Sequence, residues 1–272
     1  MVSTDEIMEM ALELVGFESI PSDSAVYVEG KNIKRVLFGI DAEIPELLIA
    51  ERMGYDAVIS HHPKGGLAVV NYHQVFSRHI QLMVDAGVPK DEAEKAVRRK
   101  SASLEVEMHA RNYAHAVDVA KILKIPYMNI HTPLDELGRR IMARTISRET
   151  KADATVGDVV STLKALPEFA KATTDVKIRL GNATNPAGKT VVSHGAGTNG
   201  GYEIAKTYYK YGVDTLIYIH ISPSDLERLR GDAAGNLIVT GHIASDSVGI
   251  NPLIEKMEGE GISVTRLGII PP

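Results

Sequence analysis

His61 and His62 sit side by side in the run Asp56-Ala-Val-Ile-Ser-His-His-Pro63, directly after a short apolar stretch. Imidazoles bind divalent metals and exchange protons near neutrality. Two further runs carry related chemistry. Asn129-Ile-His-Thr-Pro-Leu-Asp135 and Val239-Thr-Gly-His-Ile-Ala-Ser-Asp246 each place a His just past an apolar segment and an Asp four residues later. In a helix that starts there, residues i and i+4 share a face. His61/His62, His131/Asp135 and His242/Asp246 together offer a nitrogen- and oxygen-rich ligand set. Such a set suits divalent zinc, iron, manganese, nickel or cobalt. Its carboxylates could bridge two ions, as two-metal hydrolytic sites require. The plain alternative is a group of polar strand ends facing solvent.

To act together these residues must leave strands that end in one place. Apolar runs predict strands at Arg35–Ile40, Ala57–Ser60, Ile125–Ile130, Val176–Leu180, Thr190–Ser193, Thr215–Ile219, Leu237–Thr240 and Ser263–Leu267. Amphipathic stretches predict helices at Pro45–Met53, Val75–Ala86, Asp91–Leu123, Tyr202–Tyr211 and Ile250–Glu258. This alternation is an α/β pattern with largely parallel or mixed sheets flanked by helices. α/β folds place ligands at strand carboxyl ends. A composition change near Glu149–Asp153 divides the chain into lobes 1–150 and 151–272, with a cleft between them. The first lobe carries the His pair and a helical insertion over 65–125. The His242/Asp246 motif returns to the shared cleft from the second.

Val36–His62 and Val191–His220 read as a weak repeat of strand, loop, helix and strand, in which His220 aligns with His62. Any two such units look alike, so chance accounts for the match. A duplicated half would instead aim His220 into the cleft, as a substrate-handling group or an extra ligand. The segment Gly195-Ala-Gly-Thr-Asn-Gly-Gly201 opens a helix after a strand, where backbone N–H groups can meet an anion. Gly195 and Gly197 are therefore candidate phosphate contacts, with a bare tight turn as the equal alternative. His73, His79, His109 and His115 are expected at surface or capping positions, and Tyr208, Tyr209 and Tyr211 in packing or subunit contacts.

The 272 residues contain no Cys, which removes disulfides, thiolate nucleophiles and cysteine zinc sites. A net charge of −5 argues against a primary nucleic-acid binder. No apolar run reaches membrane-spanning length, and the acidic Met1–Glu6 start lacks a signal-peptide core. A cytoplasmic protein is expected.

The order His-His-Pro, His-Thr-x-Leu-Asp and Gly-His-x-x-x-acid resembles the NIF-three-like family of dinuclear metal-centre proteins, often labelled GTP cyclohydrolase I type 2 homologues. Val26-Tyr-Val-Glu-Gly30, Gly39-Ile-Asp41 and Ser193-His-Gly-Ala-Gly197 add to the likeness, which spans most of the chain. The resemblance implies that His61, His62, Asp135, His242 and Asp246 bind two divalent ions. It leaves His131 and His220 as proton shuttles. It also implies a homo-oligomer, built as a toroidal ring of dimers such as a hexamer, and a small-molecule, nucleotide-type substrate. The chain is divergent. Asp246 replaces the family's usual Glu, no Trp-Asp-Asn stretch precedes the first strand, and Tyr-Ile-His220 stands where Thr-Gly-Asp is common. A metal-dependent hydrolase is the leading expectation. A non-catalytic metal-binding regulatory protein and a dinuclear phosphoesterase are the alternatives.

Overall fold

A computed structural model describes residues 2–232 and 235–272. The first half comprises α1 (Thr4–Val15), β1 (Ala25–Val28), β2 (Arg35–Gly39), α2 (Ile44–Met53) and β3 (Ala57–Ser60). Short helices follow, α3 (Gly66–Val70), α4 (Tyr72–Val75) and α5 (Arg78–Asp85), then α6 (Lys90–His109), α7 (His115–Leu123), β4 (Tyr127–Asn129) and α8 (Thr132–Glu149). The second half comprises α9 (Val156–Lys164), α10 (Pro167–Lys171), β5 (Lys177–Leu180), β6 (Thr190–Val192), α11 (Gly201–Lys210), β7 (Thr215–Tyr218) and α12 (Pro223–Asp232). It ends with β8 (Asn236–Val239), α13 (His242–Gly259) and β9 (Ser263–Leu267). Among the described residues no helix is long and apolar enough to cross a membrane.

Two mixed sheets form, in the orders β1-β4-β3-β2-β9 and β5-β8-β7-β6. In each, one edge pair is antiparallel and the remaining pairs are parallel. The α/β expectation holds. The last strand, β9, pairs with β2 in the first sheet, so the chain's C-terminus closes the sheet that its N-terminal half builds. Each sheet has apolar helical cover: Phe38, Ile59 and Met128 pack with Ile250 and Leu253 of α13, while Leu216 and Leu237 pack with Ile204 and Tyr208 of α11.

Register sets the site. Gly39 lies opposite Ser60, and Ser60 opposite Asn129, so Asp41, His61, His62 and His131 leave one sheet edge together. In the second sheet Val192, Ile217 and Ile238 are in register, which brings His194, His220 and His242 out at its own carboxyl edge. The two edges meet.

Several boundaries move from the sequence reading. The stretch Asp91–Leu123 is two helices, broken at 110–114 where Asn112 Oδ1 accepts from the N–H groups of Ala114 and His115. The stretch Val75–Ala86 breaks likewise, with α4 ending at Val75 and α5 starting at Arg78. Strand β1 has no strong pattern because every residue is half-buried at a sheet edge. Helix α13 starts eight residues before the predicted Ile250, through Ser245, Ser247 and Gly249. Those are weak helix formers, but tertiary burial holds them in place. Gly138 and Gly249 let α8 and α13 approach until a Cβ at Gly249 would collide with the Leu134 carbonyl.

Candidate metal centre

His61 and His62 leave β3 as the chain turns, and their rings lie 5.1 Å apart. His131 sits at the N-cap of α8 with Asp135 one turn inside it, and His242 opens α13 with Asp246 one turn inside. The structure brings all of them together. Ligand atoms of His61, Asp135 and Asp246 lie within 4.8 Å of one another, as do those of His62, His242 and Asp246 and those of His61, His62 and His131. Asp246 thus belongs to two triads. The first is wholly buried, whereas His62 and His242 are partly open.

Ring protons decide what this cluster can do. His61 Nδ1 lies 2.9 Å from the Ile130 carbonyl, which can only accept, so that nitrogen carries the hydrogen. His62 Nδ1 donates to Asp41 at 2.8 Å and His131 Nδ1 to Asp23 at 2.6 Å. In the neutral rings the three Nε2 atoms therefore turn lone pairs inward, the arrangement in which a carbonyl or carboxylate orients a metal-binding imidazole. His61 Nε2 then faces Asp135 Oδ1 at 3.1 Å and Asp246 Oδ2 at 3.8 Å, acceptor against acceptor. His61 Nε2, Asp135 Oδ1, both Asp246 oxygens and His194 Nε2 are buried with no hydrogen-bond partner. Buried polar atoms are normally satisfied. Several such acceptors in one place fit divalent cations, and the nitrogen/oxygen donor set suits the metals named above.

Electrostatics agrees. Burial alone would raise the Asp135 and Asp246 carboxyls, yet the surrounding imidazoles hold both below the usual carboxylate range. Burial opposes charge on His62, but Asp246 and Asp41 outweigh it and raise the imidazole to about 9. Without a metal, the cluster therefore takes up a proton. His220 goes the other way, pushed down to about 4 by burial and by neighbouring His242.

Asp23, Asp41 and His194 touch the cluster and were not placed there by the sequence. Asp23 is fully buried and also accepts from Thr132 Oγ1 at 2.7 Å. Asp41 and His194 stood inside the motifs Gly39-Ile-Asp41 and Ser193-His-Gly, which were the available signal. His194 is buried with Nε2 3.5 Å from Asp135 Oδ1. His220, from the second half, faces His242 with ring centroids 4.8 Å apart, so it does reach the cleft.

The glycines divide. Gly195 packs against Glu136, whose carboxylate would repel an anion there, and its carbonyl accepts from Arg78 Nε at 2.8 Å. Gly197 lines a cavity of about 590 Å³ over His62, His131 and His242, and its carbonyl is taken by the Tyr72 hydroxyl. α6 of the insertion supplies that cavity's outer wall with Lys100 and Leu104. His79 is not at the surface. It is fully buried and bonds the Thr198 carbonyl at 2.7 Å. Tyr208 is a core residue.

Neither protein-family models nor curated proteins give a match. Solved structures do. A NIF3 superfamily protein from Sphaerobacter thermophilus is 46% identical with a TM-score of 0.97, over 98% of each chain. Reduced HcgD from Methanocaldococcus jannaschii shares the fold at 14% identity and TM-score 0.59, over 98% of each chain. A Bacillus cereus protein related to NIF3 does so at 10% identity and TM-score 0.53, over 98% of this chain and 96% of the other.

Proposed function

The chain belongs to the NIF3 superfamily, and we propose that it is a metal-dependent hydrolase-like enzyme with a dinuclear centre, acting on a nucleotide-type substrate. The observation that carries this is the pair of His/Asp triads that share Asp246. His61, Asp135 and Asp246 would hold the buried ion, and His62, His242 and Asp246 the ion facing the cavity. When bound, two divalent ions supply Lewis acidity toward water and toward a substrate oxygen.

The chain's own groups do the rest. Asp41 and Asp23 orient His62 and His131 so that the imidazoles cannot rotate away. His131 Nε2, 3.5 Å from Asp135 Oδ2, is placed to accept a proton. The cavity of about 590 Å³ seats a small molecule against His62 and His242.

The test is a purine-nucleotide panel on metal-reconstituted protein, following both ring opening and phosphate release. Turnover that chelation abolishes is expected. Phosphate release without ring opening would favour a phosphoesterase. Absence of turnover with every substrate, despite stoichiometric metal, would favour the regulatory metal-binding alternative. A homo-oligomeric ring is part of the same reading, and light scattering that shows a monomer at all concentrations would remove it.

A further inference from the structure

A second cavity, of about 610 Å³, opens on the other side of His220 and His242, which line both. Its rim is β5, the edge strand of the second sheet. Lys177 and Arg179 are two apart on that strand and so share a face. Both are exposed and line the cavity. Among the described residues neither forms an ion pair within 4.0 Å. Asp175 is the one carboxylate in the lining, and Lys164 neutralises it at 2.6 Å.

His220, which lines the same cavity, adds a donor. The Asn199 amide nitrogen contacts both the His220 carbonyl and, at 2.8 Å, His220 Nδ1. A carbonyl can only accept, so the NH₂ end of Asn199 faces His220 and Nδ1 must accept as well. The ring hydrogen is therefore on Nε2. This is the reverse of His61, His62 and His131, whose Nδ1 atoms donate. Asn199 is itself buried, at 5% exposure, and locked in this orientation. His220 thus cannot serve as an Nε2 metal ligand and presents an N–H instead.

We propose that this second cavity is an oxyanion site, in which Lys177, Arg179 and the His220 Nε2–H seat a phosphate group of the substrate beside the metal centre. That the phosphate belongs to a substrate rests on the hydrolase reading, but phosphate binding is measurable without turnover. Lys177, Arg179 and the His220 Nε2–H all donate, and the carboxylate of Asp175 is paired with Lys164, which favours a phosphate or a similar oxyanion over a cation or a neutral base. The guanidinium can bind such an oxyanion through two parallel bonds. Phosphate held there would leave the remainder of the molecule to pass His242 into the first cavity.

Calorimetric titration with inorganic phosphate, guanosine and guanosine monophosphate, on metal-loaded and metal-stripped full-length protein, tests it. Native protein should bind phosphate and the monophosphate in both states and prefer the monophosphate to guanosine. Lys177→Ala/Arg179→Ala should weaken both phosphate-bearing ligands by roughly tenfold or more, as loss of two charge-assisted bonds implies. Metal content should not change. His220→Ala should weaken them too, and His220→Gln, which keeps an N–H donor, should recover part of the loss. Unchanged phosphate affinity in the double variant, or phosphate binding that needs metal and ignores both cations, would overturn the proposal. Phosphate binding that depends on Lys177 and Arg179 in a protein without turnover would keep the oxyanion site and sink the hydrolase reading instead.

Discussion

His61 Nε2 lies 3.1 Å from Asp135 Oδ1 while the ring's hydrogen is committed to the Ile130 carbonyl on the opposite side. Two buried acceptors held this close repel unless a cation joins them. The fold enforces the approach, because β3 and the start of α8 are fixed by parallel pairing of Ser60 with Asn129. The fold itself therefore builds this relationship.

Replacing the pair, His61→Ala/His62→Ala, removes a nitrogen from each of the two triads that share Asp246. Metal content measured by plasma mass spectrometry should fall from about two ions per chain to near none. The circular dichroism spectrum should be retained, since four apolar clusters hold the fold without the metal. Retention of both ions would refute the assignment of this pair as ligands.

Asp246 lies in both of the triads assigned to the ions, so Asp246→Asn should reduce occupancy at both positions. The substitution keeps size and removes the charge that a dication needs in a buried site. Full occupancy of both positions in anomalous maps would show that Asp246 does not bridge.

Metal affinity should rise with pH. In the metal-free chain His62 titrates at about 9, so below that pH a binding ion must expel its proton. Apparent affinity then grows by up to tenfold per pH unit and levels off above about 9. The proton also stabilises the metal-free fold. Its contribution is full below the ordinary 6.5 and is lost as pH rises through about 9. Asp41→Asn should flatten both dependences. A pH-independent affinity from 6 to 9, measured against a competing chelator, would contradict the expectation.

Gly249→Ala probes the link from packing to site. The added Cβ would collide with the Leu134 carbonyl and push α13, which carries Asp246, away from α8, which carries Asp135. A loss of about 1–3 kcal/mol in stability is expected, together with weaker metal binding. Native melting temperature and metal affinity in this variant would show that the close approach of the helices does not set the ligand geometry.

The clustering of His61, His62, Asp135, His242 and Asp246 was legible because each sits at a strand end or a helix start, where sequence spacing translates directly into position. The two mixed sheets were legible for the same reason. The partners that orient the ligands were not. Asp23 pairs with His131 across 108 residues, in a loop with no strand or helix pattern of its own. Asn199 lies in a glycine-rich turn that, by composition, suggested backbone anion contacts, yet its side chain fixes the His220 proton. His131 and His220 looked equivalent as shuttles. Their opposite ring protonation depends on an acid at one and an amide at the other, which spacing does not reveal.

Two divalent cations that share Asp246 are central to the proposed function. Anomalous diffraction at a metal absorption edge, on crystals of protein loaded with a single metal such as zinc or manganese, tests it most directly. Two peaks are expected in each chain, one among His61, Asp135 and Asp246 and one among His62, His242 and Asp246. A loaded crystal with no peak among these residues, or with a single ion that leaves one triad empty, would contradict it.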